Sequence, residues 1–445
     1  MQPAVLEKLR SIVGAPHVLT GVDLSPYVVE GRTPEAAVFP GTVDEVRAVV
    51  TLAAESEIPV IAWGGGTAAA AGVAAARAGL VLGLTRLDRV VEHEPGDLTA
   101  TVEAGRTVAA LQATLRERGQ WLSLDPPDET RATIGGVFAA NASGPRRQLY
   151  GTARDLLIGL TVVTAEGAVV RGGGKVVKNV AGYDLPKLFV GSYGTLGIIV
   201  ECTVKLRPRP DDERLVAVSF DRMKDAGATV RALMASDLIP NAIELLDGAS
   251  LRALTASAPP APGAGASAAL LVGFDGVPDQ VAWQVSELGR LVAATGGRDV
   301  REVPAETWPR LARAAAAAFP ACAVMRLSVL PTQVADAMEQ GGELARGRGM
   351  ASAWSAHAGV GVVTASLALA DGRQDLGVVA AVLREWRGIA RGCSGFAVLD
   401  TAPLAVKEAV GVWDDAGAAG RIMRRIKEEL DPKNVLNPGR FVDSI

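Results

Sequence analysis

Three glycine-rich segments contain the residue types that allow close contact between backbone and ligand. They are Trp63-Gly64-Gly65-Gly66-Thr67, the small residues between Thr133 and Arg147, and the segment from Gly191 to Ile199. A glycine has no Cβ, so its backbone can lie directly against a flat or anionic ligand. All three segments are therefore candidate parts of a ligand site.

The first segment is a candidate anion site because four amides follow one another with almost no side chain around them, an arrangement that can form an anion-binding nest. A flexible turn explains a bare run of glycines equally well. We find neither the Rossmann spacing GxGxxG between a strand and a helix nor the P-loop spacing GxxxxGK[ST], and so exclude both motifs. The predicted contacts are Trp63, Gly64, Gly65, Gly66 and Thr67.

The second segment begins shortly after a rigid turn that contains Pro127. Small residues let the amides at a helix N-terminus press against phosphate, although close packing of that helix is an equally good explanation. Its two arginines would add positive charge, but a solvated surface pair is the commoner arrangement. The predicted contacts are Pro127, Thr133, Gly135, Gly136, Ala140, Ser143, Gly144 and Arg146.

In the third segment, glycines lead directly into a mostly apolar run from Ile198 to Val204 that predicts a buried strand. A polar loop before it, Lys178–Asp184, predicts further contacts at the ligand's edge, with an ordinary surface loop as the alternative. The predicted contacts are Gly194, Gly197, Ile198 and Ile199.

Composition excludes several classes of protein. The net charge is −4 with scattered Lys and Arg, which argues against a nucleic-acid partner. Three cysteines without metal spacing indicate a reducing compartment, and we expect no metal or iron–sulfur cluster within this chain. Its first residues predict an amphipathic helix that carries Glu7, Lys8 and Arg10, in preference to a signal peptide, and we expect no apolar run long enough to span a bilayer. These features predict a cytoplasmic protein, with attachment to the inner face of a membrane through partners as the alternative.

Helix and strand signals predict an α/β unit around the first glycine segment. Thr42 and Glu45 predict an N-capped helix from Val43 to Glu55, and the strand after it places the first glycine segment at a strand's carboxyl end, where ligands of open α/β sheets collect. After a charged linker, alternating strands and helices predict a ferredoxin-like domain. The Ala256–Ala268 tract predicts a mobile loop within that domain.

Taken together, the three segments and the tail Leu430–Phe441 resemble the vanillyl-alcohol oxidase / p-cresol methylhydroxylase (PCMH) superfamily. Within it they are most similar to the E subunit of bacterial glycolate oxidase and to D-2-hydroxy-acid dehydrogenases. The resemblance implies an α+β fold with a lead-in (1–27), a two-subdomain PCMH-type FAD-binding domain (28–208), a ferredoxin-like α/β cap or substrate domain (209–425) and a C-terminal segment that returns to the FAD domain (426–445).

The resemblance also implies where FAD lies. Pyrophosphate would lie on the Gly64–Thr67 loop and the Gly135–Gly144 segment, and the flavin and ribityl portion would lie against Gly194–Ile199. Neither His nor Cys follows the first glycines, so we expect non-covalent FAD. Tyr193 stands where many relatives have Glu, which removes a polar side chain but leaves the glycines in place.

Relatives that oxidise D-2-hydroxy acids carry an HxGDGNxH segment that holds a metal. Here His357 and the two glycines of that pattern remain, but Val360, Val362 and Thr364 stand in place of its Asp, its Asn and its second His. One imidazole cannot hold a metal but is sufficient as a base, with a structural histidine as the favoured alternative. Arg326 matches an RLSxxP stretch and would bind a carboxylate, with a salt bridge at a sheet edge as the alternative.

These features predict an FAD-dependent oxidoreductase that acts on CH–OH groups. The chain would be the FAD-binding subunit of a glycolate or D-2-hydroxy-acid dehydrogenase, together with a second FAD subunit and an iron–sulfur subunit. Hydride would pass from the substrate's α-carbon to flavin N5, and electrons would continue to the iron–sulfur partner or a quinone. The alternatives are a silent structural or electron-relay subunit, a stand-alone dehydrogenase, and a scaffold without flavin.

Overall fold

The structure, a computed structural model, describes residues 1–73, 79–175, 183–255, 266–369 and 375–445. All but the last two residues of the predicted Lys178–Asp184 loop lie outside the described residues, as do all but the last three of the Ala256–Ala268 tract. The chain forms two compact units. Unit 1 consists of residues 1–143, 152–209 and 415–445, and unit 2 of residues 144–151 and 210–414.

Strands of the described residues are numbered along the chain. They are β1 Val18–Leu19, β2 Ala36–Val38, β3 Val60–Trp63, β4 Leu80–Gly83, β5 Val90–Glu94, β6 Thr99–Glu103, β7 Gln120–Trp121, β8 Leu157–Val163, β9 Val169–Gly173, β10 Ile198–Lys205, β11 Arg207–Pro208, β12 Asp212–Phe220, β13 Ala242–Asp247, β14 Ala268–Gly276, β15 Arg298–Val303, β16 Ala323–Ser328, β17 Met350–His357, β18 Val362–Leu369 and β19 Phe396–Thr401.

The α-helices of the described residues are numbered in the same way. They are α1 Pro3–Val13, α2 Val43–Glu55, α3 Val108–Arg116, α4 Ile134–Ala140, α5 Arg147–Tyr150, α6 Ala153–Leu156, α7 Pro186–Phe189, α8 Met223–Met234, α9 Gly248–Thr255, α10 Pro278–Thr295, α11 Trp308–Leu311, α12 Val334–Gly347, α13 Leu376–Gly392, α14 Leu404–Val410 and α15 Ala418–Leu430. None of them is long and apolar enough to cross a membrane.

In unit 1, a four-stranded sheet in the order β1-β2-β4-β3 carries the first glycine segment. Its strands β2, β4 and β3 are parallel, and α2 connects β2 to β3. The predicted cap of α2 is confirmed, because Thr42 Oγ1 accepts a 3.1 Å hydrogen bond from the amide of Glu45. Because β3 ends at Trp63, the glycine run that starts with Gly64 lies at the carboxyl end of a parallel strand.

The second sheet of unit 1 is antiparallel, in the order β5-β6-β10-β8-β9, with the predicted strand β10 at its centre. The first side chains of β10 point to opposite faces of the sheet, as expected for a strand. Ile198 packs into the core cluster that includes α2, whereas Ile199 packs into the cluster that includes α3 and α4. The start of β10 is therefore buried on both faces between two apolar cores.

The described residues of unit 2 form an eight-stranded antiparallel sheet, in the order β15-β12-β14-β13-β17-β18-β16-β19. Apart from α9, which lies between β13 and β14, the first half, β12-α8-β13-β14-α10-β15, and the second, β16-α12-β17-β18-α13-β19, have the same βαββαβ order and the same strand arrangement. The predicted ferredoxin-like fold is confirmed, and the structure adds that the arrangement occurs twice. The halves join where β13 pairs with β17 through Glu244↔His357, Leu245↔Ala356 and Leu246↔Ser355.

The two faces of this sheet differ in polarity. One face packs against α8, α10, α12 and α13 and carries the apolar side chains of one continuous core cluster. The opposite face is apolar in the first half, where it packs against α9 and α11, but in the second half it presents polar side chains. We call six polar residues of this face, five from the second half and one from the adjoining strand β13, the polar strip: Glu244, Arg326, Ser355, His357, Thr364 and Asp400.

Candidate functional site

One pocket in unit 1 brings the three glycine-rich segments together. It contains about 750 Å³ of space, part of it open to solvent. Its walls come from the loop after β3, from α4, from the entrance of β10 and from the C-terminal segment. The lining residues are Ala62, Trp63, Gly64, Gly65, Gly66, Thr67, Ala68, Ala69, Leu84, Ala104, Thr133, Gly135, Gly136, Ala139, Ala140, Tyr193, Gly194, Gly197, Ile199 and Arg440.

The first segment requires glycine because other backbone lies against it. A Cβ on Gly65 would be 1.6 Å from the carbonyl oxygen of Arg131, and Gly66 has a φ of +72°, which side chains disfavour. Within the described residues, the amides of Gly64, Gly65, Gly66 and Thr67 donate to no protein acceptor. These four donors on the pocket wall are available to an anionic ligand.

The second segment packs as well as lines the pocket. Thr133 caps α4, and its Oγ1 accepts a hydrogen bond of 3.4 Å from the amide of Gly136. The amide of Gly135 donates to the carbonyl of Ala104 at 2.8 Å, and a Cβ on Gly135 would lie 2.6 Å from the Ala104 methyl group. Gly135 therefore serves close packing, and its amide is not free for a phosphate.

The third segment is bonded to α4 and held in an unusual conformation. The amide of Tyr193 donates to the carbonyl of Ala139 at 2.9 Å, and that of Gly191 donates to Phe138 at 3.0 Å. Tyr193 has a φ of +53°, which is uncommon for a bulky residue. Asn437 Nδ2 donates to the carbonyls of Tyr193 (3.1 Å) and the next residue (3.2 Å), so the C-terminal segment stabilises this turn.

A buried ion pair in the C-terminal segment also fixes the third segment. Lys427 Nζ donates to Asp431 Oδ2 (2.6 Å), to the carbonyl of Thr195 (2.8 Å) and to that of Leu436 (2.9 Å). Lys427 is 5% exposed and Asp431 2%. Desolvation lowers the pKa of the Lys427 ammonium group, while the Asp431 charge opposes that effect.

Arg440 brings a cationic side chain to the pocket. Its guanidinium donates to the carbonyls of Ala68, at 3.0 Å, and Ala69, so it ties the loop after the first segment to the C-terminal segment. The carbonyl of Arg440 accepts from the amide of Val73 at 3.3 Å, which adds a second tie to the same loop. Arg440 is 6% exposed.

The polar strip of unit 2 contains both predicted catalytic residues. His357 ends β17, and its Nδ1 lies 2.7 Å from Oε1 of Glu244, whose side chain is 1% exposed. Arg326 lies on β16, where its guanidinium is 3.1 Å from Asp400 Oδ1 on the neighbouring strand. Both members of this second pair are partly exposed.

Strand register gives the spacing of the two candidates. Arg326 pairs with Thr364, which pairs with Ser355, and His357 lies two residues beyond Ser355 on β17. Their Cα atoms are therefore two strands and two residues apart, about 12 Å from standard strand spacing. Two long side chains at that separation on one face can contact the same small ligand.

Known proteins match both halves of the chain. The model of the FAD binding domain matches residues 34–173, and that of the C-terminal domain of FAD linked oxidases matches residues 209–396 and 413–441. A D-lactate dehydrogenase of Archaeoglobus fulgidus is 30% identical over 94% of both chains. The chain belongs to the FAD-linked oxidase family.

Two further comparisons agree with this assignment. The glycolate oxidase subunit GlcD of Bacillus subtilis is 36% identical over 55% of this chain, and the match spans 52% of that subunit. A solved structure of p-cresol methylhydroxylase has a TM-score of 0.77 at 19% identity, covering 98% of this chain and 96% of its own. The fold is therefore of the PCMH type, and this FAD-linked oxidase binds FAD.

The pocket of unit 1 fits FAD. Four unbonded amides suit a pyrophosphate, and the missing Cβ atoms leave room for a ligand against the backbone. The structure brings together these residues predicted for the cofactor: Trp63, Gly64, Gly65, Gly66, Thr67, Thr133, Gly135, Gly136, Ala140, Gly194, Gly197 and Ile199. FAD, once bound, would supply the redox chemistry, and these residues would hold it in place.

Five predicted cofactor residues are absent from the pocket lining: Pro127, Ser143, Gly144, Arg146 and Ile198. Ile198 faces a core. The hydroxyl of Ser143 accepts from the amide of Ala153 at 3.0 Å. Gly144 and Arg146 belong to unit 2, where Arg146 binds Glu213 through two hydrogen bonds of 2.9 Å and lies over the ring of Trp308.

Sequence reasoning missed several members of the site. Tyr193, which the sequence marked as a departure from relatives, lines the pocket directly. Arg440 stands in the tail that carried the resemblance, and a basic residue in that tail is the signal that could have identified it. Glu244 gave no such signal, because its position beside His357 follows from strand pairing alone.

Proposed function

We propose that this chain is the FAD-binding subunit of a dehydrogenase that oxidises small 2-hydroxy acids of the glycolate and D-lactate type. Family membership supports FAD-dependent oxidation, and relatives named D-lactate dehydrogenase and glycolate oxidase subunit support the substrate class. The observation that carries the proposal is the polar strip, which places a guanidinium and an imidazole on one face of a mostly apolar sheet.

Each side chain has a role that its chemistry suits. Arg326 binds the substrate carboxylate through two parallel hydrogen bonds, and Asp400 keeps its guanidinium in place. His357 takes the proton of the substrate hydroxyl as the C–O bond becomes a carbonyl. The hydride that leaves the α-carbon is accepted by FAD, so a 2-oxo acid is the product.

The same proposal includes partners. GlcD is named as a subunit, and we assign this chain to a comparable assembly with a second FAD subunit and an iron–sulfur subunit. Electrons would leave FAD for that iron–sulfur partner or for a quinone. The FAD would be non-covalent, because the lining of the pocket contains neither His nor Cys.

The test is anaerobic titration of the purified yellow chain with glycolate, D-lactate and L-lactate, followed by flavin absorbance. We expect glycolate or D-lactate to bleach the flavin. Arg326→Gln should raise the substrate concentration needed at least tenfold, because a carboxylate loses its charge-assisted bonds. Arg301→Gln, on the exposed edge strand β15, is the matched control and should behave as wild type.

A catalytically silent FAD subunit is the second candidate. It is favoured by the replacements Val360, Val362 and Thr364, which leave His357 without the ligands that relatives use for a metal. Among the described residues, no group of three or more His, Cys, Asp or Glu side chains is placed to hold a metal ion. A yellow chain that no 2-hydroxy acid bleaches, alone or with its partners, would establish this candidate and refute the first.

A further inference from the structure

We propose that Glu244 is a positioning residue that fixes the tautomer of His357. The carboxylate holds the proton on Nδ1, so that Nε2 faces outward as the base. This inference rests on the proposed function for its catalytic consequence, but not for its structural part.

The burial of Glu244 makes the contact informative. A carboxylate that is 1% exposed is costly to bury unless hydrogen-bond donors surround it. Nδ1 of His357 lies 2.7 Å from Oε1, and a neutral imidazole has only one N–H to donate. Since an ionised carboxylate only accepts, the proton belongs on Nδ1 and Nε2 carries the lone pair.

Nε2 remains free to act. Among the described residues it has no hydrogen-bond partner, and the His357 side chain keeps 15% of its surface exposed. A histidine that serves only packing would be expected to satisfy both nitrogens when buried. Here one nitrogen is fixed and the other is open, which is the arrangement of a base with an orienting carboxylate.

The pair lies at the junction of the two βαββαβ halves. Glu244 belongs to the first half and His357 to the second, and the junction consists of three residue pairs. A shift of one residue in that register would turn the Glu244 side chain to the opposite face. The orientation of the base thus depends on correct pairing of the halves.

His93 provides a contrast within the same chain. Its Nε2 lies 2.9 Å from Oε1 of Gln120, and the amide nitrogen of Gln120 donates to the carbonyl of Pro95 at 2.8 Å. Because the Gln120 oxygen must accept, His93 carries its proton on Nε2. The structure thus assigns opposite tautomers to His93 and His357.

Nitrogen-15 NMR of the neutral imidazoles tests this assignment directly. The chain has three histidines, so selective labelling gives few signals, and His17→Gln and His93→Gln assign them. We expect His357 as the Nδ1–H form and His93 as the Nε2–H form in wild type. An Nε2–H form of His357 in the wild-type chain would overturn the inference, and this result requires no variant of Glu244 or His357.

The variant Glu244→Gln tests the cause. Its amide can donate as well as accept, so the Nδ1–H preference of His357 should be lost while that of His93 is unchanged. The rate of flavin bleaching by D-lactate should fall by about 100-fold, as expected when a general base is misdirected. Glu302→Gln, an exposed carboxylate on β15, is the matched control.

The outcomes separate the two proposals. An unchanged tautomer or an unchanged bleaching rate in Glu244→Gln would overturn the role of Glu244. A wild-type chain that no hydroxy acid bleaches would overturn the proposed function and the catalytic consequence drawn here. The NMR signals would still decide in that case whether Glu244 sets the tautomer.

Discussion

Replacement of Lys427 by Met tests how the C-terminal segment supports the FAD pocket. The variant removes three hydrogen bonds and leaves the carboxylate of Asp431 buried, with the amides of Val435 (3.0 Å) and Leu436 (2.7 Å) still donating to it. Breaking one side of a buried ion pair costs about 3–5 kcal/mol. The two remaining donors place the expected loss near the lower end, about 3 kcal/mol, or roughly 150-fold in an opening equilibrium.

Hydrogen exchange of peptides from the third segment and the C-terminal segment measures this loss locally, without assuming that the whole chain unfolds in one step. FAD affinity should fall at least tenfold, because the carbonyl of Thr195 loses its anchor between Gly194 and Gly197. Lys433→Met, whose ammonium group donates to the carbonyl of Ala54 at 3.2 Å, is the control. Protection in Lys427→Met within about 1 kcal/mol of wild type would refute the reasoning.

The same residue predicts a pH dependence. Desolvation lowers the pKa of Lys427 in the folded chain below its ordinary value. Between the lowered pKa and that ordinary value, the unfolded chain binds more protons than the folded chain, so the free energy of unfolding rises with pH there. Lys427→Met should lack this rise, which urea titrations at a series of alkaline pH values can measure.

Three further predictions concern the pocket and core of unit 1. Gly65→Ala should lose bound FAD, because its Cβ would overlap a carbonyl oxygen. The control variant Gly96→Ala should retain FAD, because a Cβ at that position has no atom within 4 Å. The flavin content after purification measures the difference. Arg440→Met should weaken FAD binding by roughly 10-fold or more, because the loop after the first segment loses two hydrogen bonds. The control variant Arg421→Met, at an exposed arginine, should not weaken it. Fluorescence titration with FAD measures both affinities, and equal affinities of the two variants would contradict the prediction. Burial raises the pKa of the Cys202 thiol, so above about pH 9 the unfolded chain loses this proton before the folded chain does. The free energy of unfolding should therefore fall by up to about 1.4 kcal/mol per pH unit relative to Cys202→Ala.

The sequence by itself determined the features that depend on near neighbours. The cap formed by Thr42 and Glu45 is one of them, because a side chain and an amide three residues apart meet whenever a helix begins. The strand from Ile198 is another, since its apolar run follows the glycines directly. Glycine runs likewise indicated where backbone and ligand come close, although a run alone did not show whether it packs or binds.

Only the tertiary structure decided which side chains meet across the chain. Arg440 reaches a loop 372 residues away, and Glu244 meets His357 across 113 residues. Arg146 binds Glu213, 67 residues further along the chain, because residues 144–151 belong to unit 2. No local sequence pattern indicates that this segment belongs to unit 2. Strand register and burial determine which of the many possible residue pairs come into contact. Neither can be inferred from the periodicity or composition of the sequence around the residues involved.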